Sequence, residues 1–196
     1  MPSEPLQLAA EADFPTRWAH FRILGFAMGG ESAVALRLAE QPVTTPLVRI
    51  HSQCLTGDVF SSLRCDCRQQ LELALAAIAH EGAGVLIYED KEGRGIGLMN
   101  KLRAYALQDE GADTVEANER LGFAADARDY ALPAAILRYL GLRHVRLLSN
   151  NPDKVRALEE AGIAVVERVP CQPESLSPQA RQYIEVKREK LGHFAG

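Results

Sequence analysis

The sequence predicts an α/β fold, a layered mixed β-sheet flanked by helices, with an antiparallel N-terminal part. Three observations lead there. From Asp66 onward, stretches with apolar residues at helical spacing alternate with short continuous apolar runs. Glycine, asparagine or proline stands where each stretch must turn. Before that, residues 14–50 carry short apolar stretches broken by turn residues, which is the pattern of paired antiparallel strands. At 47% apolar and 24% charged, the 196 residues have enough apolar side chains to bury a core and are too apolar for a disordered chain.

In order along the chain, Phe21-Arg22-Ile23-Leu24 and Ala33-Val34-Ala35-Leu36 are separated by Gly29-Gly30 and form the antiparallel start. Asp66 caps a helix whose capping box is completed by Gln69, and Leu71, Ala74, Leu75 and Ile78 form its apolar stripe. Gly82 and Gly84 end it. Val85-Leu86-Ile87-Tyr88 is then a buried strand, followed by a glycine-rich loop. Leu98, Leu102, Tyr105 and Ala106 predict a helix over 98–109, and a further helix runs from 129 or 132 to 140. Residues 145–148 are a strand, Asn151-Pro152 starts a helix that Gly162 stops, 163–166 are a strand, and 175–191 a polar terminal helix. Only 170–178 is Pro-rich enough to resemble a linker, so one domain is expected over 1–196, with a C-terminal tail from about 171.

With 22 basic against 26 acidic residues the net charge is −4, which gives no broad cationic surface for a nucleic-acid backbone. No apolar run nears the roughly 18–20 residues that cross a bilayer, and the N-terminus lacks the basic start and apolar stretch of a secretory signal. Neither nucleic acid nor membrane is an expected partner, and the expected compartment is the cytoplasm.

Cys54, Cys65 and Cys67 fall within fourteen residues as C-x10-C-x-C, while Cys171 stands apart as an unpaired thiol. A Cys65–Cys67 disulfide would close a strained ring, and a reducing compartment keeps thiols free. Three soft thiolates suit Zn²⁺ better than Mg²⁺ or Ca²⁺. Three protein ligands leave a fourth place for water, as in catalytic zinc sites, whereas a fourth ligand from His51 or Cys171 would make the metal structural. Three thiolate charges outweigh those of the metal, so water there is acidified less than at a three-histidine site and a nearby base is needed. Asp126 is one candidate, against the plainer reading of a solvated loop carboxylate.

Glu92-Gly93-Arg94-Gly95-Ile96-Gly97 joins a strand to a helix, where glycines let backbone N–H groups approach an anion. Lys91, Arg94, Lys101 and Arg103 make the neighbourhood cationic, as a polyphosphate site requires, although the loop matches neither standard nucleotide motif and a plain tight turn remains the alternative. Ser149-Asn150-Asn151-Pro152-Asp153-Lys154 is a second strand-to-helix junction, at the end of a strand where open α/β sheets hold ligands; the alternative is a helix cap. Tyr105, on the apolar face of its helix, would ordinarily be core.

Over about 44–170 these segments resemble GTP cyclohydrolase II. The residues that carry the resemblance are Arg49 through Asp58, Leu63-Arg64-Cys65-Asp66-Cys67, Glu92 through Leu98, Asn100-Lys101, Arg103-Ala104-Tyr105, Asp113 through Asn118, Leu121-Gly122-Phe123, and Asn150-Asn151-Pro152 with Lys154. The resemblance implies a homodimeric hydrolase of cyclic amidine C–N bonds at the start of riboflavin biosynthesis. GTP would lose pyrophosphate, open its imidazole ring at C8 and release that carbon as formate, leaving 2,5-diamino-6-(5-phosphoribosylamino)pyrimidin-4(3H)-one. It further implies that Cys54, Cys65 and Cys67 hold Zn²⁺ and that Mg²⁺ accompanies the triphosphate. Arg49, Ile50, His51, Ser52, Gln53, Gln70, Glu92, Gly93, Arg94, Thr114, Ser149 and Lys154 would contact the nucleotide. Asp126 matches a proton acceptor, Arg128 a nucleophile and Tyr105 a tyrosine near the reacting base. Because the arginine pKa exceeds 12, charge stabilisation at the α-phosphate is the chemically simpler role for Arg128.

The chain departs from the family pattern at Gln53, where glutamate is usual, at Arg68, where glycine is usual, and at Glu89-Asp90-Lys91, where basic and glutamine residues are more common. Chemistry is expected to be preserved and nucleotide affinity altered. The competing readings are a paralogue feeding another pathway, an enzyme that opens the ring but retains formate, and a zinc-stabilised nucleotide sensor without turnover.

Overall fold

The computed structural model describes residues 5–123, 129–173, 176–192 and 194. Strands β1 (Gln7–Pro15), β2 (His20–Met28) and β3 (Glu31–Ala39) form an antiparallel meander. The β2–β3 turn is the pair Gly29-Gly30, both at positive φ, as a two-residue hairpin with the twist of its strands requires. The predicted antiparallel start is therefore present, but it begins earlier than the sequence signals. All nine side chains of β1 are exposed, so no buried alternation marks it.

The stretch read as antiparallel also contains the start of β4 (Leu47–Ser52), which runs parallel to its neighbours. The reason is the connection that follows. A short helix α1 (Leu55–Asp58) and the long α2 (Cys67–Glu81) carry the chain back across the sheet before β5 (Ala83–Glu89), and such a crossover delivers a parallel strand. The chain continues through a 3₁₀ turn at Glu92–Gly95, then α3 (Leu98–Asp109), α4 (Thr114–Arg120), α5 (Ala131–Tyr139), β6 (His144–Leu148), α6 (Pro152–Glu160), β7 (Ala164–Val169) and α7 (Pro178–Leu191). The sheet order is β1-β2-β3-β5-β4-β6-β7, antiparallel from β1 to β5 and parallel from β5 to β7, so the mixed sheet expected from the sequence is the one observed.

The period-two alternation of the strands feeds two cores. Val48, Ile50, Val85, Ile87, Val145 and Leu147 pack on one face against Leu132, Ile136 and Leu137 of α5 and Leu158 of α6. Leu47, Leu86 and Leu148 face the other way, against Ala74, Leu75 and Ile78 of α2 with the half-buried Leu71 beside them, the four stripe residues read from the sequence. The same alternation turns Arg49 and His51 of β4 toward the α2 side, where Arg49 reaches Gln70.

Helix ends show where local signals hold. Asn151 caps α6 by accepting from Asp153 N (2.9 Å), and Gly82 closes α2 in the left-handed conformation. Asp66 occupies the N-cap position of α2 but forms no capping box with Gln69, because its carboxylate accepts from the Gln70 side-chain amide instead (2.5 Å). α4, which apolar spacing does not reveal, is started by Asp113 accepting from Val115 N and Glu116 N. No described helix is long and apolar enough to cross a membrane.

Candidate active site

The carboxyl ends of the adjacent parallel strands β4, β5 and β6 open into one cavity, the position at which open α/β sheets bind ligands. Cys54 leaves β4 and precedes α1, Cys65 lies in the loop before α2, and Cys67 is the first residue of α2. Their three Sγ atoms lie within 4.8 Å of one another, with Cys54 and Cys65 at 3.7 Å.

Gly57 explains how three sulfurs fit so closely. A Cβ at this position would lie 2.9 Å from Cys65 Sγ, 3.1 Å from Cys54 Sγ and 3.1 Å from Cys67 Cβ. The helix backbone itself is thus one wall of the sulfur cradle, and the donor set and its close spacing fit a zinc ion. Neither His51 nor Cys171 joins the group: no His51 ring nitrogen lies within its span, with Nε2 facing Asp58 at 3.2 Å, and Cys171 Sγ donates to Gln70 O (3.9 Å). Among the described residues the metal-competent group is therefore the three-cysteine one.

As bare thiols the cluster concentrates its charge on one sulfur. Hydrogen bonds from Cys65 and Cys67, then the nearby Lys101 ammonium, hold the Cys54 thiol far below its usual range. Giving those bonds pushes Cys65 up to about 11 and lifts Cys67 well above the ordinary thiol range. Lys101 Nζ stands 3.0 Å from Cys54 Sγ and 2.7 Å from Glu92 Oε1; burial alone would lower its pKa, but the Cys54 thiolate and Glu92 outweigh that and raise it.

A second layer holds the loop. Asp58, almost wholly buried, accepts from Cys54 N (2.9 Å) and the Tyr88 hydroxyl (2.8 Å) while bonding His51 Nε2, and the His51 and Tyr88 rings stack at 5.5 Å across the β4–β5 pairing. Burial lowers the His51 pKa, so this imidazole is neutral. Glu92 Oε2 accepts from Leu55 N (2.7 Å), tying the glycine-rich loop to the first turn of α1. Asp58→Ala would leave the Cys54 amide, the Tyr88 hydroxyl and the His51 ring without their shared partner. It should weaken zinc retention by about 10- to 100-fold, measured against a graded chelator series. Retention equal to the parent would show that the brace is dispensable.

Most residues singled out from the sequence meet around this cavity. Tyr105 lines it rather than sitting in the core, with its hydroxyl 3.1 Å from Thr56 Oγ1 and the Arg64 guanidinium 4.8 Å from its ring centre. Arg49 donates to Leu148 O (3.0 Å) and Gln70 Oε1 (2.6 Å), so the Gln70 amide is held between Arg49 and Asp66. Ser52 donates to Glu89 Oε1 (2.7 Å) and Gln53 N to Glu89 O (2.9 Å). Glu92, Gly93, Thr114 and Ser149 contribute to the walls, and Lys154 Nζ donates to Ile50 O (2.7 Å). Ile50 itself is a core side chain that reaches the site only through that carbonyl. Asp126 and Arg128 lie outside the described residues, as does the side chain of Arg94.

One expectation changes. Two of the four cations of the glycine-rich loop are neutralised: Lys91 pairs with Glu31 (3.1 Å) and Asp129 (3.0 Å) and Lys101 with Glu92 and Cys54, while Arg103 donates to the uncharged Asn100 Oδ1. The residues that sequence reasoning missed are Gly57, Asp58 and Tyr88, which act on the cluster through packing and the β4–β5 register, and the tail residues Tyr183, Ile184 and Arg188, which line the cavity from α7.

Three buried polar atoms of cavity residues have no partner among the described residues: Arg49 Nε, His51 Nδ1 and Asp66 Oδ1. Each unsatisfied group costs roughly 1–3 kcal/mol, and a ligand with both donors and acceptors would recover it. The cavity is thus prepared for a polar molecule beside a cluster of cysteine sulfurs.

The family model of GTP cyclohydrolase II matches residues 7–170. GTP cyclohydrolase-2 of Shigella boydii is 54% identical over 192 residues, covering 96% of this chain and 97% of that protein. GTP cyclohydrolase-2 of Buchnera aphidicola is 51% identical over 192 residues, covering 96% and 98%. A riboflavin biosynthesis protein of Vibrio vulnificus is 53% identical over 196 residues, and this chain spans about half of its length, 53%. Among solved structures, RibBX, a two-domain 3,4-dihydroxy-2-butanone 4-phosphate synthase from A. baumannii, aligns over 84% of this chain and 40% of its own with 20% identity and a TM-score of 0.47, too slight a likeness to add to the sequence relatives. With a match across most of its length and its three cysteines gathered at the cavity, the chain belongs to the GTP cyclohydrolase II family.

Proposed function

We propose that the chain catalyses the zinc-dependent hydrolysis of GTP to formate, pyrophosphate and 2,5-diamino-6-(5-phosphoribosylamino)pyrimidin-4(3H)-one, the opening step of riboflavin biosynthesis. The observation that carries this reading is the three-sulfur cluster in the wall of a polar cavity, in a chain of this family. Zinc held by Cys54, Cys65 and Cys67 supplies Lewis acidity next to the bound base.

The rest of the chemistry belongs to the chain's own side chains. Arg49 and Asp66, bridged by Gln70, present one unused donor and one unused acceptor to the donor and acceptor edges of a guanine. The Tyr105 hydroxyl, which bonds Thr56 Oγ1, serves as the proton donor to the opening ring; burial raises its pKa, so it is a neutral phenol at physiological pH. Lys101 fixes Glu92 and offsets the negative charge of the cluster. Asp126 serves as proton acceptor and Arg128 steadies charge at the α-phosphate. Mg²⁺ accompanies the triphosphate. The active form is a cytoplasmic homodimer, in which the exposed Val59, Phe60 and Leu63 between α1 and α2 offer apolar surface for a subunit contact.

The test is purified protein mixed with GTP and Mg²⁺, with formate, pyrophosphate and the pyrimidine chromophore followed before and after chelation. All three products are expected in equal amounts, and formate is lost on chelation. None of the three would point to a sensor; pyrophosphate with an opened ring and no formate would point to a partial enzyme. Arg128→Lys should retain measurable pyrophosphate release, whereas a guanylyl group trapped on Arg128 would overturn its electrostatic role.

A further inference from the structure

The tail beyond residue 170 lies outside the family match, yet it is built onto the cavity. Cys171 is fully buried and clamped by the Asn150 side chain, whose Nδ2 donates to Cys171 O (2.9 Å) while Cys171 N donates to Asn150 Oδ1 (3.0 Å). Ser177 Oγ donates to Leu63 O (2.6 Å), in the loop that carries Cys65, and accepts from Ala180 N (3.0 Å). Beyond α7, Phe194 N donates to Asn150 O (3.0 Å), and the Arg168 guanidinium lies 4.6 Å from the Phe194 ring centre. Both ends of α7 are thereby tied to the walls of the site, and its Tyr183, Ile184 and Arg188 face the cavity.

The charges of that cavity identify what Arg188 does. Five other described cations line it, and all are engaged. Arg49 donates to Leu148 O and Gln70, Arg64 pairs with Asp109, and Lys91 pairs with Glu31 and Asp129. Lys101 is bound to Glu92 and Cys54, and Lys154 to Ile50 O. Arg188 is exposed at the mouth and has no hydrogen bond or ion pair with another described residue. Cys54 is buried, Cys65 and Cys67 are half-buried and Arg188 is exposed on the lining of the same cavity, so a nucleotide whose five-membered ring faces the sulfurs would extend its phosphates toward the exposed side that Arg188 lines.

We propose that Arg188 binds the outer phosphates of the triphosphate and sets the preference for GTP over guanine nucleotides with fewer phosphates. This rests on the GTP reading above. A planar guanidinium gives two parallel hydrogen bonds to a phosphate, which a point charge cannot.

The experiment compares Arg188→Gln, Arg188→Lys and, as a control on the exposed surface of the same helix, Arg181→Gln. KM and kcat with GTP are measured, together with calorimetric binding of a non-hydrolysable GTP analogue and of GMP, and zinc content is checked in each variant. Arg188→Gln should raise the GTP KM and the analogue Kd about tenfold, the size of one charge-assisted contact, with a smaller effect on kcat and on GMP binding. Arg188→Lys should recover part of the loss and Arg181→Gln should bind like the parent. Unchanged analogue binding in Arg188→Gln, an equal loss for GMP, or an equal loss in Arg181→Gln would each overturn the assignment. Because binding is read without turnover, a parent protein that binds the analogue but releases no formate would sink the proposed reaction and leave the Arg188 result legible.

Discussion

Cys65→Ser is expected to lower formate release by at least about 1000-fold, a rise of roughly 4 kcal/mol in the barrier. Cys65 Sγ sits 3.7 Å from Cys54 Sγ inside a set spanning no more than 4.8 Å, so a hydroxyl there removes one of three soft donors and leaves two, too few to retain zinc against a chelator. The fold should persist. Cys65 lies outside both large apolar cores, and serine replaces cysteine with little change in volume. The expected pattern is therefore loss of zinc and formate with circular dichroism and melting temperature close to those of zinc-stripped parent protein. A Ser variant that is metal-free and fully active would remove zinc from the mechanism.

Gly57→Ala makes the second large change, without touching a sulfur. On propensity alone alanine favours a helix by about 1 kcal/mol over glycine, so an ordinary helical site would gain stability. Here the new methyl would be 2.9 Å from Cys65 Sγ, closer than real Cβ atoms approach, and 3.1 Å from Cys54 Sγ, tighter than most do. Either α1 shifts or the sulfurs spread. Zinc affinity and formate release should each fall by about 100-fold, the upper range for disturbing the surroundings of metal ligands. Metal titration and turnover measured on the same preparation check it. Tighter zinc binding in the alanine variant would mean the backbone is not a wall of the cradle.

How much of this was legible in the sequence depended on where each signal was stored. β5 and α2 were readable because their apolar residues are buried and their periods differ, one continuous and one spaced by three and four. β1 was not, since it pairs with β2 while showing every side chain to solvent. The parallel direction of β4 depends on the crossover through α2, a property of the connection rather than of the strand's own residues. At the site, cysteine spacing pointed to the three-sulfur cluster, and the strand-to-helix junctions to the walls. Asp58 and Tyr88 were hidden because they meet only when His51 and Tyr88 come into register on neighbouring strands. Lys91 and Lys101 made the neighbourhood read as cationic because composition shows cations and not the carboxylates and thiolate that neutralise them. Arg188, set in a polar helix with no motif, became visible only once α7 was seen tied to Leu63 and Asn150.

X-ray absorption at the zinc edge of the metal-loaded protein tests the account at its centre. Three sulfur ligands at about 2.3 Å with one lighter oxygen ligand at about 2.0 Å are expected for a catalytic three-thiolate site. A fourth sulfur, which only Cys171 of the same chain could supply, or the scattering pattern of an imidazole would mean the metal is closed off and structural, and the hydrolytic account would be wrong.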